Sequence, residues 1–169
     1  MKIAHDTDRG FLRHDLSVGK LSVVVIANDE YLDHVFIDPD RTILRGLDRI
    51  PRGINAPIRR AITFFEAYAR RKDATRPPLD LSGFTENEKR VYEHVSETTF
   101  GDKPTYGELA LRSGFPRAAR FVGSCMRKNR YPIIIPCHRV VPSAGGVGKY
   151  SPSSDIKKYL LDFESGSDM

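Results

Sequence analysis

Cysteine is scarce in this chain, with only Cys125 and Cys137 among 169 residues. That count excludes a four-cysteine zinc site, and no C-x-x-C or H-x-x-x-H pair supports a mixed one, so no metal is expected. One disulfide is arithmetically possible, but without an export signal two free thiols in a reducing compartment are the better expectation. Long apolar runs are missing too. None approaches the roughly 18 residues a membrane span needs, and no membrane partner is expected. Residues Met1 to Arg13 mix acids, bases and histidine and lack the apolar stretch of a secretory leader. Residues Ser165 to Met169 carry no lipidation pattern. These absences make an intracellular location the expectation.

The most informative absence is of negative charge. Between Glu108 and Asp155 there is no carboxylate, while Arg112, Arg117, Arg120, Arg127, Lys128, Arg130, Arg139 and Lys149 all fall there. On a chain of net charge +5, such a one-sided stretch suits a polyanion, with nucleic acid first. The alternative is a solvated basic face. An apolar fraction of 40% and a charged fraction of 29% fit a folded globular chain.

The first part reads as a small α+β unit. Lys20 to Ala27 is rich in β-branched residues and predicts a strand. Asn28-Asp29-Glu30 is turn chemistry, and Tyr31 to Ile37 alternates, with Tyr31, Val35 and Ile37 on one face and Leu32, His34 and Phe36 on the other, so that the two segments suggest a hairpin. Asn55 predicts the N-cap of a helix to about Lys72, with Ile58, Ala61, Ile62, Phe65 and Ala69 at helical spacing. His5, His14 and His34 have no evident partners. Arg76-Pro77-Pro78 and Ser82-Gly83 punctuate the chain, so the expected domains are residues 1–80 and 84–169.

The second part opens on two capping boxes, Thr85 with Glu88 and Thr105 with Glu108. They predict one helix carrying Val91, Tyr92 and Val95 inward and a short one to about Arg112. Gly114-Phe115-Pro116 predicts a turn with Pro116 in the first turn of a basic helix to about Lys128. Short helix, turn and basic helix outline a helix-turn-helix. In the second helix Ala119, Val122 and Met126 are expected inward, with Arg117, Arg120, Ser124 and Arg127 as an outward stripe. The small residues Ala118, Gly123 and Ser124 would allow close approach to a groove. Ile133-Ile134-Ile135 predicts a short buried strand, and a last helix near Asp155 to Phe163 is expected to bury Ile156, Leu160 and Phe163.

Cys137 and His138 are adjacent. A thiol is a weak nucleophile until it ionises, and a histidine held by a carboxylate can take its proton. Neighbours on a regular strand point to opposite faces, so contact between them requires an irregular backbone or a bridging water. A buried structural cysteine is the competing reading.

Residues 133–141, IIIPCHRVV, resemble the active-site signature of the O6-alkylguanine-DNA alkyltransferases. TYGELA at 105–110, PRAARFVG at 116–123, Asn129 and GKYS at 148–151 agree with that family in order and spacing. The resemblance runs from about Phe84 to Glu164. It implies an N-terminal α/β domain with an antiparallel, RNase H-like sheet, and a mostly helical, winged-helix-like C-terminal domain whose helix-turn-helix enters the minor groove. The implied activity is irreversible, single-turnover transfer of an alkyl group from O6-alkylguanine, and less readily O4-alkylthymine, in duplex DNA. The implied acceptor is Cys137, with His138 as its base, Glu164 orienting His138, and Asn129 bracing the turn. Tyr106 would give a proton to the leaving base, and Arg120 would fill the stack from which the nucleotide is flipped. Arg117, Ala118, Ala119, Gly123, Ser124, Arg127 and Thr105 would face DNA, and Val140, Ser151, Tyr150 and Met126 would line the base pocket. No cofactor is implied. The expected partner is double-stranded DNA with alkylated bases, bound by a monomer, with cooperative assembly on DNA open.

Three positions depart from the family pattern: Arg130 where proline is common, and Ser124 and Pro152 where glycine is. With no cysteine before Cys125, the zinc site of some members is not expected. A damage-binding protein without chemistry and a Cys-His hydrolase are the other readings. The first is opposed by the presence of Cys137, the second by the lack of an oxyanion-hole motif.

Overall fold

The computed structural model describes residues 10–148, 150 and 153–166. The chain divides into two compact units, residues 1–80 and 81–169. With three antiparallel strands and six α-helices among the described residues, the fold is α+β.

The first unit is built on strands β1 (Leu12–Val18), β2 (Leu21–Ala27) and β3 (Leu32–Ile37), in the order β1-β2-β3. The β2–β3 turn is held by Asn28, whose side-chain oxygen accepts from the backbone of Glu30 at 2.9 Å and Tyr31 at 2.8 Å. Leu32, Asp33, Val35, Phe36 and Ile37 of β3 are all buried, because the sheet is covered on both faces. Val24, Ile26 and Phe36 pack with Leu47 and Ile50, which helix α1 (Arg41–Leu47) and the turn after it supply. Helix α2 (Ala56–Ala69) packs against β1 and β2 and buries Ile58, Ala61 and Phe65. It is capped by Asn55 and ends earlier than expected, at Ala69. Strand β1 and helix α1 carried no sequence expectation.

In the second unit helix α3 (Glu86–Ser96) follows Thr85 and helix α4 (Tyr106–Arg112) follows Thr105. Both capping boxes are complete, so each cap satisfies donors that the first helical turn leaves open. Val91, Tyr92 and Val95 of α3 are buried, each worth roughly 1.5–3 kcal/mol of removed apolar surface. Helix α5 (Ala119–Lys128) packs on α4. It begins three residues later than Pro116 suggested, because Arg117 has a left-handed φ of 67° that ends any helical run through it. Arg117 therefore sits in the turn before α5.

Ile133, Ile134 and Ile135 are buried but form no strand. They lie in a turn closed by the Ile135 amide on the Tyr131 carbonyl at 2.8 Å, with Ile133 at φ 71°. Two flanking prolines and no partner strand leave no ladder for them to join. Helix α6 (Ser154–Ser165) buries Lys157, Leu160, Leu161 and Glu164. Its inward face is rotated from the expected one, and Ile156 and Phe163 are only half-buried. No helix among the described residues is long and apolar enough to cross a membrane.

Candidate active site

The site is built around one turn of 3-10 helix, Cys137–Arg139. Pro136 lacks an amide hydrogen and breaks any extended run, so Cys137 and His138 do not alternate as on a strand. The turn is tied down on several sides. The Val141 amide donates to the Pro104 carbonyl at 3.0 Å, and the Tyr106 amide to the Val141 carbonyl at 3.3 Å. These bonds hold the segment after Cys137 against the start of α4.

Asn129, the C-cap of α5, faces the turn. Its side-chain nitrogen donates to the Ile135 carbonyl at 2.8 Å and to Cys137 Sγ at 3.0 Å, while its oxygen accepts from the Tyr131 amide at 2.9 Å. The Tyr150 hydroxyl lies 3.6 Å from the same sulfur. Burial pushes the Cys137 thiol up, and Asn129, Tyr150 and Lys157 only partly offset it. The resting sulfur therefore needs a base.

His138 is fully buried, and its Nε2 lies 2.8 Å from Glu164 Oε1. A carboxylate accepts only, so Nε2 carries the hydrogen, and Nδ1 keeps a lone pair. That Nδ1 is buried with no hydrogen-bond partner among the described residues. Burial holds the imidazole below its ordinary range against the pull of Glu164, which keeps it neutral and able to accept a proton.

Burial opposes the charge on Glu164, but His138 and Arg139 outweigh it and hold the carboxyl at about 2. Arg139 donates to both carboxylate oxygens, at 2.8 and 3.0 Å. It also donates to the Thr98 carbonyl and, at 3.2 Å, to the Thr98 hydroxyl. Arg139 is thus a buried ion-pair partner and not part of a basic surface. Sequence reasoning counted it among the free cations because Glu164 lies 25 residues away. Lys128 is likewise neutralised, by Glu88 at 2.5 Å.

Tyr106, Thr105, Ala119, Arg120 and Gly123 line one open cleft of about 410 Å³ together with Pro142 and Ser143. Arg120 is exposed on α5, and Tyr106 is half-buried. Burial and the nearby Cys137 push the Tyr106 hydroxyl up, so it stays protonated at neutral pH. Arg117 and Arg127 are exposed, while Ala118 and Ser124 are half-buried, and none of the four lines the cleft. Ala119 faces the cleft; the inward face of α5 is Val122, Cys125 and Met126. Val140 is buried, and its carbonyl is taken by Lys157 Nζ at 2.6 Å. Ser151, Lys149 and Pro152 lie outside the described residues. Lys157, Arg139 and Thr98 were missed as site residues. Only the oddity of a lysine and a glutamate seven apart on an apolar helix face hinted at the first. Among the described residues no group of three His, Cys, Asp or Glu is placed to hold a metal.

The second unit thus holds a buried thiol, a neutral histidine oriented by a carboxylate and a cleft rimmed by an arginine. Residues 86–166 match the family described as 6-O-methylguanine DNA methyltransferase, DNA binding domain, and this half of the chain belongs to that family. The mouse methylated-DNA–protein-cysteine methyltransferase is 36% identical over 124 residues, covering 68% of this chain and 58% of its own. The protein of that name from Thermococcus barophilus is 47% identical over 88 residues, covering 51% and 48%. The chain thus spans about half the length of these curated relatives. Mycobacterium tuberculosis OGT, solved in complex with DNA, superposes with a TM-score of 0.75 at 25% identity, covering 92% of each chain.

Proposed function

We propose that this protein repairs alkylated DNA directly, by moving an alkyl group from guanine O6 to Cys137 Sγ. The observation that carries the reading is the Cys137 sulfur held by Asn129, beside a histidine whose tautomer Glu164 sets. His138 Nδ1 accepts the thiol proton, through a bridging water. The thiolate attacks the alkyl carbon, an S–C bond forms and the C–O bond breaks, and its electron pair stays on guanine. Tyr106, still protonated, supplies the proton that neutralises the leaving base. The product is a thioether that no group in the site can hydrolyse, so each molecule reacts once.

The α4-turn-α5 segment acts as the helix-turn-helix of a winged-helix-like unit, and the first unit is RNase H-like. The target carbon is inside a duplex, so the nucleotide is flipped out, with Arg120 filling the vacated stack. Arg117 and Arg127 act through phosphates, Thr105, Ala118, Ala119, Gly123 and Ser124 give close approach, and Val140, Tyr150, Ser151 and Met126 enclose the base. O4-alkylthymine is a poorer substrate. The protein works as a monomer inside the cell, on DNA.

Intact mass after reaction with excess O6-methylguanine duplex tests this. One methyl, about 14 Da, should appear on Cys137 and the reaction should stop. Cys137→Ser should bind DNA and gain nothing. Continued turnover, or a methyl on Cys125, overturns the reading.

A further inference from the structure

Helix α6 sends two ionisable side chains into the core, seven residues apart on one face. Glu164 has its work with His138 and Arg139. Lys157 has none in the mechanism above, yet it is fully buried. Its ammonium can donate three hydrogen bonds, and the one that the structure gives it goes to the Val140 carbonyl at 2.6 Å. The Tyr150 ring centroid lies 5.9 Å from Nζ, within cation–π reach. No carboxylate among the described residues pairs with it. A buried cation without a counter-charge is costly, and an apolar residue of similar volume is generally the more stable choice. The ammonium therefore sits where an anion must form during the reaction.

We infer that Lys157 is the counter-charge of the Cys137 thiolate, a positioning residue that favours the ionised sulfur once His138 takes its proton, without touching the substrate. The inference rests on the alkyl-transfer reading for its purpose, though not for its test. The links are short. Lys157 holds the carbonyl of Val140, three residues after Cys137, and faces the ring of Tyr150, whose hydroxyl reaches the sulfur at 3.6 Å. The groups that face this pocket are Cys137, His138 and Tyr150, with Arg139 and Glu164 behind the imidazole. The charge of Lys157 pulls the Cys137 thiol down and also opposes a proton on His138. It therefore favours a bare thiolate over a thiolate–imidazolium pair. Burial lowers Lys157 itself, while Cys137 pulls it back up, so thiolate and ammonium support each other. In ionisation the S–H bond breaks and its proton leaves by way of His138; Lys157 neither gives nor takes it.

The test follows the thiolate by its ultraviolet absorbance across pH, in the full chain, with Cys137→Ser as the blank. Unit charges roughly 6–10 Å apart at an effective dielectric of about 20 move an ionisation midpoint by about one to two pH units. Lys157→Met should raise the Cys137 midpoint by that much. Lys157→Arg should stay nearer the parent than the methionine variant does. Single-turnover transfer from O6-benzylguanine should fall roughly ten- to a hundred-fold at neutral pH in Lys157→Met and converge with the parent at high pH. A midpoint unmoved in Lys157→Met, or moved equally in Lys157→Arg, overturns the inference. Should the methionine variant not fold, Lys157→Gln replaces it; if no uncharged variant folds, Lys157 is a structural anchor and the inference fails. A parent that transfers no alkyl group sinks the proposed function, while the absorbance still decides the role of Lys157.

Discussion

Replacing Glu164 by glutamine keeps the shape of the side chain and removes one buried charge. In the parent that carboxylate accepts from His138 at 2.8 Å and from Arg139 at 2.8 and 3.0 Å, with 1% of the residue exposed. The variant leaves Arg139 buried without its counter-charge, a change that typically costs about 3–5 kcal/mol. Linkage gives an independent figure. The carboxyl falls from 4.5 to about 2 on folding, and at about 1.4 kcal/mol per pH unit that is about 3 kcal/mol. Because the folded group is the stronger acid, this stability is present above about pH 4.5 and is lost as pH falls toward 2. Urea unfolding at a series of pH values measures it. The chain has no tryptophan, and five of its seven tyrosines (92, 106, 131, 150 and 159) lie in the unit that holds Glu164, so tyrosine emission reports mainly on that unit. Parent and Glu164→Gln should differ by about 3 kcal/mol at pH 7, and the gap should close by about pH 2. Asp15, Glu88 and Asp102 are also held low, but they titrate in both proteins and cancel. A gap that is absent at pH 7, or constant down to the acid limit, refutes the reasoning.

Asn129→Ala removes the donor at Cys137 Sγ and one of the two donors at the Ile135 carbonyl, and it strands the Tyr131 amide. It should cost about 1–3 kcal/mol in thermal or urea unfolding, and transfer should fall at neutral pH and recover partly at high pH, because the lost bond had held the thiol down. Arg120→Ala should slow single-turnover repair of duplex DNA roughly ten- to a hundred-fold and cost little with free O6-benzylguanine; an equal loss on both would show that Arg120 supports the fold instead of extrusion. Gly123→Ala should raise stability by about 0.5–1 kcal/mol, as a helical Gly-to-Ala change does, since the new methyl meets the Tyr106 ring at an ordinary 3.9 Å. It should also weaken DNA binding several-fold in a titration, because Gly123 lines the cleft; unchanged affinity would place DNA elsewhere.

The sequence was most legible where structure is local. The capping boxes at Thr85 and Thr105 set both helix starts, because both partners lie within one turn. Helix α5 was misplaced at its start because the left-handed Arg117 has no signature in residue type. The strand expected at 133–135 was inferred from β-branched composition, yet strands need partners and the prolines on either side deny one. The face of α6 was read from apolar residues alone, which hid Lys157 and Glu164, the two positions buried for their charge. Strand β1 went unread because Arg13 and Asp15 look like surface residues, whereas Arg13 is buried against Asp15 and Asp48. In the candidate site, adjacency placed Cys137 with His138. The nearness of Glu164 and Asn129 depended on the family resemblance, since spacing alone gives no distance between them.

The 3-10 turn bearing Cys137 has a bearing on whether such chemistry is portable. Its geometry is imposed from outside: Asn129 at the end of α5, Pro104 and Tyr106 at the start of α4, Thr98 after α3 through Arg139, and Lys157 on α6. The nine residues of the signature contain the nucleophile and its base but almost none of the restraints that orient them. Grafted onto a loop of an unrelated scaffold, the peptide should behave as an ordinary cysteine with an ordinary thiol. An engineer who wants the reactivity must transplant four helices and the turn together.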